Sequence, residues 1–553
     1  MRLVPLLLAA ALAAPSLAHA AGEVTVLRAA RIHTENPAQP LAEAMAFDSE
    51  GKVLALGDAA TLKAQFPDAA ALDLPDATVV PGLIDAHGHL PNLGLFLQRA
   101  DLTDTTSKAE IIERLKAFEK NLGPGEWLLG RGWDQNDWAV QEFPTAADLD
   151  AAFPDRAVWI ERIDGHAYWA NSAALKASPR ALDGDWQPEG GQIIRDAQGQ
   201  PTGIFVDGAV GLIEGQVPAL DDAATERMLA AATQYAVARG LTGVHDAGVS
   251  LQQLRAFQRL ADKGDLPLRV YAMADGDSDA LAWLCKNGPY HHAGGRLDMR
   301  SLKLYADGAL GSRGAALIED YSDQHGHRGL LVTAPDQLER LMRQAHGCGL
   351  QVGTHAIGDR GNRIVLDAYA KVLGDEATTT DHRWRIEHAQ VIAPEDIPRF
   401  GQMHVIAAMQ PTHATSDMPW AETRVGPERI AGAYAWRQLL DSGARLALGS
   451  DFPVESVDPR LGLHAAVTRT DLEGHPPGGW RPQERLTREE ALRGFTLDAA
   501  YAGFAEDEVG SLEVGKRADF VVLGADPLAD DVPLATLPVR ATYVDGEAVY
   551  TAP

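Results

Sequence analysis

The stretch Ala77-Thr78-Val79-Val80-Pro81-Gly82-Leu83-Ile84-Asp85-Ala86-His87-Gly88-His89-Leu90 decides how the chain is read. It is an apolar, β-branched run that ends in two histidines, and it predicts a buried strand over Ala77–His89. Residues two apart on a strand point to the same side, so His87 and His89 share a face. Working outward, seven more apolar runs predict strands at Leu241–Asp246, Leu268–Met273, Leu302–Tyr305, Leu350–His355, Trp384–His388, Ile406–Gln410 and Leu446–Asp451. Helix-like sequence lies between them, as in Ala223–Arg239, Pro335–His346 and Asn362–Val372. Eight such units predict an α/β fold, a parallel (β/α)8 TIM barrel. A doubly wound open sheet competes with this reading, but a count of eight favours closure.

The two ends of the chain read differently. Val24–Leu27, Ala44–Phe47 and Val53–Leu56 are short strand-like runs, and Asp48-Ser49-Glu50-Gly51-Lys52 supplies a turn. Asp519–Leu523, Val539–Val544 and Ala548–Tyr550 repeat the pattern, with a hairpin signal at Asp545-Gly546. Residues 21–80 and 505–553 are therefore expected to form one composite β-sandwich domain. The barrel is expected over 81–504, longer than the roughly 250 residues usual for the fold. The surplus lies at about 91–220, directly after the first strand, and holds its own hairpin signal over 190–203. Because βα loops open on the active-site face, this insertion is expected to be a lid subdomain over the mouth.

Composition narrows the function classes. Of 553 residues, 46% are hydrophobic and 23% charged, which excludes a disordered or fibrous chain. Lys and Arg number 49 against 77 Asp and Glu, a net charge of −28, so neither nucleic acid nor an anionic membrane is an expected partner. Residues 1–20 read as a signal peptide: Arg2, the apolar run Leu3–Ala14, then Ala18-His19-Ala20 before the cut. Export to the periplasm or medium is expected. The apolar run is shorter than the roughly 20 residues of a membrane span, and no later stretch qualifies. Two cysteines exclude a disulfide scaffold and a four-thiolate zinc site. Cys285 and Cys348 sit in helix-like stretches before different strands, and two free buried thiols are expected.

The candidate chemistry sits at strand ends. His87 and His89 side by side suit a divalent transition metal such as zinc. Lys303 lies inside an apolar strand, where an unpaired ammonium is costly. Its escapes are a carbamate, a depressed pKa or an ion pair with Asp307. His355, His388 and Asp451 each end a later strand. Each could be bland alone; together they converge on one face of a barrel. No Gly-x-Ser-x-Gly elbow is present, and Gly308–Gly314 lacks the spacings of a phosphate loop.

The ordered set His87-x-His89, Lys303, His355, His388 and Asp451 resembles the amidohydrolase superfamily. Lys303-Leu304-Tyr305-Ala306-Asp307-Gly308-Ala309-Leu310-Gly311-Ser312-Arg313 and Gly449-Ser450-Asp451-Phe452-Pro453 narrow the likeness to amidohydrolase family 3, the YtcJ-like branch that includes N-substituted formamide deformylases. The resemblance implies one or two divalent metals, most simply zinc. His87, His89 and Asp451 would hold the more buried ion, His355 and His388 the second, and Lys303 as N6-carboxylysine would bridge them. Without that modification, a mononuclear site on His87, His89 and Asp451 is the better expectation. The implied reaction is hydrolysis of a C–N bond in an amide, formamide or cyclic amide by a metal-activated hydroxide, with Asp451 as general acid and base. Alternatives are ester, lactone or phosphotriester hydrolysis on the same site, or a catalytically idle metal- or ligand-binding protein. A small molecule is the expected substrate, and a homodimer is compatible with the sequence. Trp133, Asp134, Asp164, His166, Asp307 and Arg313 are the candidate substrate contacts, with packing of the lid as the competing role for Trp133 and Trp138. His245-Asp246 ends the second strand in a supporting or structural role.

Overall fold

The computed structural model describes residues 24–553 apart from 163–166, 189, 190 and 312. The expected signal peptide and the candidate contacts Asp164 and His166 thus lie outside the described residues. The barrel strands are β1 (Leu83–Gly88), β2 (Leu241–Val249), β3 (Arg269–Asp275), β4 (Leu297–Tyr305), β5 (Gln351–Ala356), β6 (Arg385–His388), β7 (Ile406–Met409) and β8 (Leu446–Leu448). They pair in parallel and in chain order, as a TIM barrel requires. Buried side chains such as Val244, Leu302, Val352, Ile386 and Leu446 join the surrounding helices in one apolar core. Among the described residues, no helix is long and apolar enough to cross a membrane.

The seam between β8 and β1 is closed by the site residues themselves. Asp451 N–H donates to the His87 carbonyl at 2.7 Å. Asp85 accepts the Ser450 hydroxyl at 2.6 Å and the backbone N–H groups of Ser450 and His87, both at 3.0 Å. Gly449 permits this approach: a Cβ there would stand 2.5 Å from His87 N and 2.6 Å from Asp85 Oδ1.

One expectation needs correcting. The run Ala77–His89 is two strands, because Ala70–Pro81 belongs to the terminal sheet and the barrel begins at Leu83. The break falls at Gly82, where a Cβ would lie 2.1 Å from Thr242 Oγ1. The sheet formed by the two termini has seven strands: in spatial order Glu547–Thr551, Val539–Val544, Phe520–Leu523, Ala70–Pro81, Val24–His33, Leu41–Asp48 and Val53–Gly57. It curls on itself. Phe47 and Phe520 stand three strands apart in that order, yet their ring centroids are 6.0 Å apart. The opposite face, through Val80, Val521 and Leu523, packs into the barrel core.

The insertion leaves at the C-terminal end of β1, beside His87 and His89, and returns through the helix Asp222–Val237. Its six strands form a sheet of their own, including the hairpin Gly191–Arg195 with Pro201–Asp207. A cluster around Leu102, Ile111, Trp133, Ile160 and Trp169 fills one core of this unit.

The expectation of two free thiols is overturned: Cys285 and Cys348 form a disulfide, with Cα atoms 5.0 Å apart. β3, β4 and β5 are neighbours, so the helix Asp279–Asn287 and the cap of Pro335–Gly347 meet on the outer shell. Sixty-three residues of sequence hid a contact that barrel order makes.

Candidate metal centre

The C-terminal ends of β1, β4, β5 and β6 and the loop after β8 bring together His87, His89, Lys303, His355, His388 and Asp451. His89 Nε2 lies 3.0 Å and His87 Nε2 3.5 Å from Asp451 Oδ1. Lys303 Nζ is 3.3 Å from His87 Nε2. The His87 and His388 rings are 4.8 Å apart between centroids, and those of His355 and His388 4.6 Å. A residue missed in the sequence completes the group: His413, on the helix Pro411–Asp417 that follows β7, puts Nε2 3.7 Å from Asp451 Oδ2. Two triads result, His87, His89 and Asp451, and His388, His413 and Asp451, each with ligand atoms within 4.8 Å of one another.

The imidazoles are set up to give their Nε2 atoms away. His87 Nδ1 contacts Glu387 Oε2 at 2.5 Å, and His388 Nδ1 contacts Gln410 Oε1 at 2.8 Å. Each acceptor fixes Nδ1 as the protonated nitrogen and leaves Nε2 with a lone pair. The Nε2 atoms of His355 and His413 are buried without a hydrogen-bond partner, as expected of nitrogens shaped to meet a cation. The donor set is nitrogen and carboxylate oxygen, which suits a transition metal. The residues present therefore fit the ion.

Glu387 is the second residue the sequence reading passed over. Arg385 Nε and Nη2 donate to its carboxylate at 2.6 and 2.9 Å, and all of these atoms are inside the barrel. Burial opposes ionisation of Glu387, but Arg385 and His87 outweigh it and hold the carboxyl well below its ordinary value. Asp451 is likewise held low: burial acts against it, while the His89 hydrogen bond and His87 prevail. Burial lowers Lys303, and among the described residues no carboxylate lies within 4.0 Å of its Nζ. Non-glycine residues seldom adopt positive φ, yet His388 (φ 71°) and Asp451 (φ 61°) both do. Backbone strain at two residues of one cluster marks a functional site.

The remaining described candidates are engaged by partners of their own. Trp133 is fully buried in the insertion, donates Nε1–H to the Ile160 carbonyl and packs against Trp138 and Trp169 in the insertion's apolar cluster. Asp134 pairs with Arg162 at 2.6 Å. Asp307 does not pair with Lys303. It accepts the backbone N–H groups of Ala316, Ile357 and Gly358 at 2.8, 2.9 and 2.8 Å, and ties the loop after β4 to the one after β5, 3.5 Å from His355 Nε2. Arg313 pairs with Asp323 at 2.8 Å.

The chain as a whole resembles known proteins. Residues 70–550 match a family model described as the amidohydrolase family. The chain belongs to that family. The YtcJ protein of Bacillus subtilis is 35% identical over 91% of this chain and 95% of its own. The N-substituted formamide deformylase of Arthrobacter pascens is 30% identical over 91% and 94%. An uncharacterized metal-dependent hydrolase from Pyrococcus horikoshii superposes with a TM-score of 0.78 at 29% identity, over 93% and 99%. The amidohydrolase is thus a hydrolase with a divalent-metal site, and its TIM barrel with terminal sheet domain is the family's fold.

The cluster dictates a pH dependence for the metal-free protein. Burial and the neighbouring Lys303 push His87 down to about 4 and His355 to about 3; burial and His355 hold His388 well below its ordinary value. Unfolded imidazoles titrate near 6.5, so between about 6.5 and 4 the unfolded chain binds more protons than the folded one, and stability rises with pH. Chelated protein is expected to lose stability as pH falls through that window, with His87 alone contributing roughly 3 kcal/mol. Thermal melts in EDTA at pH 7 and pH 5 check this, and equal melting temperatures would remove the neutral-histidine reading.

Proposed function

We propose that this site hydrolyses a C–N bond in an amide, formamide or cyclic amide, with zinc as its metal. The observation that carries the reading is Asp451, whose two carboxylate oxygens face the two histidine groups, Oδ1 toward His87 and His89 and Oδ2 toward His413. When bound, the metal acidifies a water and polarises the carbonyl under attack. Asp451 takes the proton of the attacking water and passes it to the leaving nitrogen. His87 and His89 would hold one ion with Asp451, and His388 and His413, with His355 beside them, would hold a second. Lys303, buried and without a carboxylate partner among the described residues, suits addition of its neutral amine to CO2 with loss of a proton; as a carbamate it would offer oxygen ligands to the metal. Asp307 and Gln410 hold the His355 and His388 surroundings in place. The likeness to a formamide deformylase supports the C–N assignment.

Export is part of the proposal. The disulfide Cys285–Cys348 suits an oxidising compartment, in line with the signal-like first twenty residues.

The test is chelation followed by reconstitution with zinc or cobalt and screening against N-formyl amines, aryl amides, N-acyl amino acids, lactones and phosphotriesters. Metal should restore turnover, and the amide classes should be the best substrates. Full activity without metal would overturn the mechanism; turnover confined to lactones or phosphotriesters would overturn the C–N assignment.

A further inference from the structure

At the opposite end of the barrel from the metal cluster, where β1 to β4 begin, lies a cavity of about 290 Å3 between the barrel floor, the segment 500–509 and the terminal sheet. That is the small end of the range for small-molecule sites. Its walls combine apolar side chains, Ile84, Val244, Val270, Ala500 and Phe504 among them, with polar and charged ones. Its ionisable groups are unevenly matched. Asp519 is gripped by Arg269 at 2.7 and 2.8 Å, Asp298 by His291 at 2.7 Å, and Glu508 lies 3.5 Å from Arg517. Arg300 has no such partner. Its guanidinium lies 3.7 Å over the Phe504 ring centroid, no carboxylate of the described residues is within 4.0 Å, and its buried Nε has no acceptor.

The second donor follows from tautomer logic. His245 Nδ1 is 2.9 Å from Arg385 Nη1. A guanidinium only donates, so Nδ1 accepts and the ring proton sits on Nε2. That nitrogen faces Gly503, another wall residue, where a Cβ would stand 2.8 Å away. The missing side chain keeps the N–H edge open to the cavity. A guanidinium lacking an anion and an imidazole N–H, set beside the apolar side chains of Ile84, Val244, Val270 and Phe504, match a carboxylate on a small apolar body.

His245 also begins an unbroken chain through the barrel. Arg385 links it to Glu387 at 2.6 Å, and Glu387 contacts His87 at 2.5 Å. All four side chains are buried. We propose that the cavity beneath the barrel is a second site, for a small apolar monocarboxylate, and that its occupancy is felt at His87 through His245, Arg385 and Glu387. Reciprocity requires that metal binding in turn changes carboxylate affinity.

Benzoate is the probe, titrated calorimetrically into the zinc-reconstituted full chain. Saturable one-site binding is expected with a Kd of about 1 mM or tighter. Arg300→Met should weaken it about tenfold or more while leaving basal hydrolysis and the melting temperature unchanged. Asp451→Asn should retain saturable binding, with an affinity no further from wild type than that of the metal-free protein, because that residue belongs to the other end of the barrel. Affinity should differ at least about threefold between zinc-loaded and metal-free protein. Absence of binding up to about 20 mM, wild-type affinity in Arg300→Met, or loss of binding in Asp451→Asn would each overturn the site. Equal affinities with and without zinc would overturn the coupling. Binding is read directly, so neither result depends on which bond the enzyme cuts.

Discussion

Asp451→Asn is expected to lower kcat by about 10³-fold or more while the protein still folds. The side chain keeps its shape and loses its charge. That charge lies 3.0 Å from His89 Nε2 and 3.5 Å from His87 Nε2, so its removal weakens metal retention and removes the proton carrier together. The backbone should tolerate the change. Asp451 sits at φ 61°, a region that asparagine enters more readily than most residues. Its amide N–H donates to the His87 carbonyl, and asparagine preserves that bond. The check is steady-state kinetics alongside metal content and thermal melts. Activity within about threefold of wild type would remove Asp451 as the acid and base, since a positioned general acid–base group contributes about 10²–10⁴-fold.

Much of this architecture could be read from the chain, and what escaped had physical reasons. The barrel strands are apolar runs followed by helices; five site residues close such runs and Lys303 lies inside one, so periodicity and position sufficed for them. The first strand's true start was hidden in Val79-Val80-Pro81-Gly82-Leu83-Ile84, whose apolar character is unbroken. The break is imposed by Thr242 closing on Gly82, a contact between segments 160 residues apart. His413 escaped because a single histidine on a short helix has no pattern of its own. Its available signal was Gln410-Pro411-Thr412-His413: a proline that opens a helix at a strand's end and puts His413 on the first turn. Arg385 and Glu387 were open to a simpler reading. Two opposite charges at alternate positions of an apolar strand share its face, and in a closed barrel that face is the interior. Trp133 was ambiguous because an aromatic in the insertion serves packing or binding equally well until burial is known.

The same Arg385–Glu387 pair gives the largest expected effect on stability. Arg385→Met should destabilise the protein by about 3–5 kcal/mol, the usual cost of breaking a buried ion pair by removing one partner. Both side chains are fully buried, and the guanidinium also donates to the Ala86 carbonyl at 2.6 Å. Its loss strands a carboxylate in the barrel with His87 as the remaining close partner. The pH dependence has a definite sign. In the wild type the Glu387 carboxyl is depressed, so its contribution is fully present above the unfolded value of about 4.3 and is lost only as pH falls through the lower folded value. In the variant, burial acts on Glu387 without the guanidinium to oppose it and raises the folded value. The gap in melting temperature between the two proteins should therefore be widest at neutral pH and narrow as the medium approaches about pH 4. Zinc affinity should fall about 10–100-fold, because Glu387, no longer held ionised and oriented by Arg385, fixes the tautomer of His87 less firmly. A double variant, Arg385→Met with Glu387→Leu, separates the charge from the packing. Replacing a buried pair by apolar groups costs far less than orphaning one member, so the double variant should regain most of the lost stability without regaining zinc affinity. A double variant no more stable than Arg385→Met alone would show that packing volume, not the uncompensated carboxylate, is what Arg385 supplies.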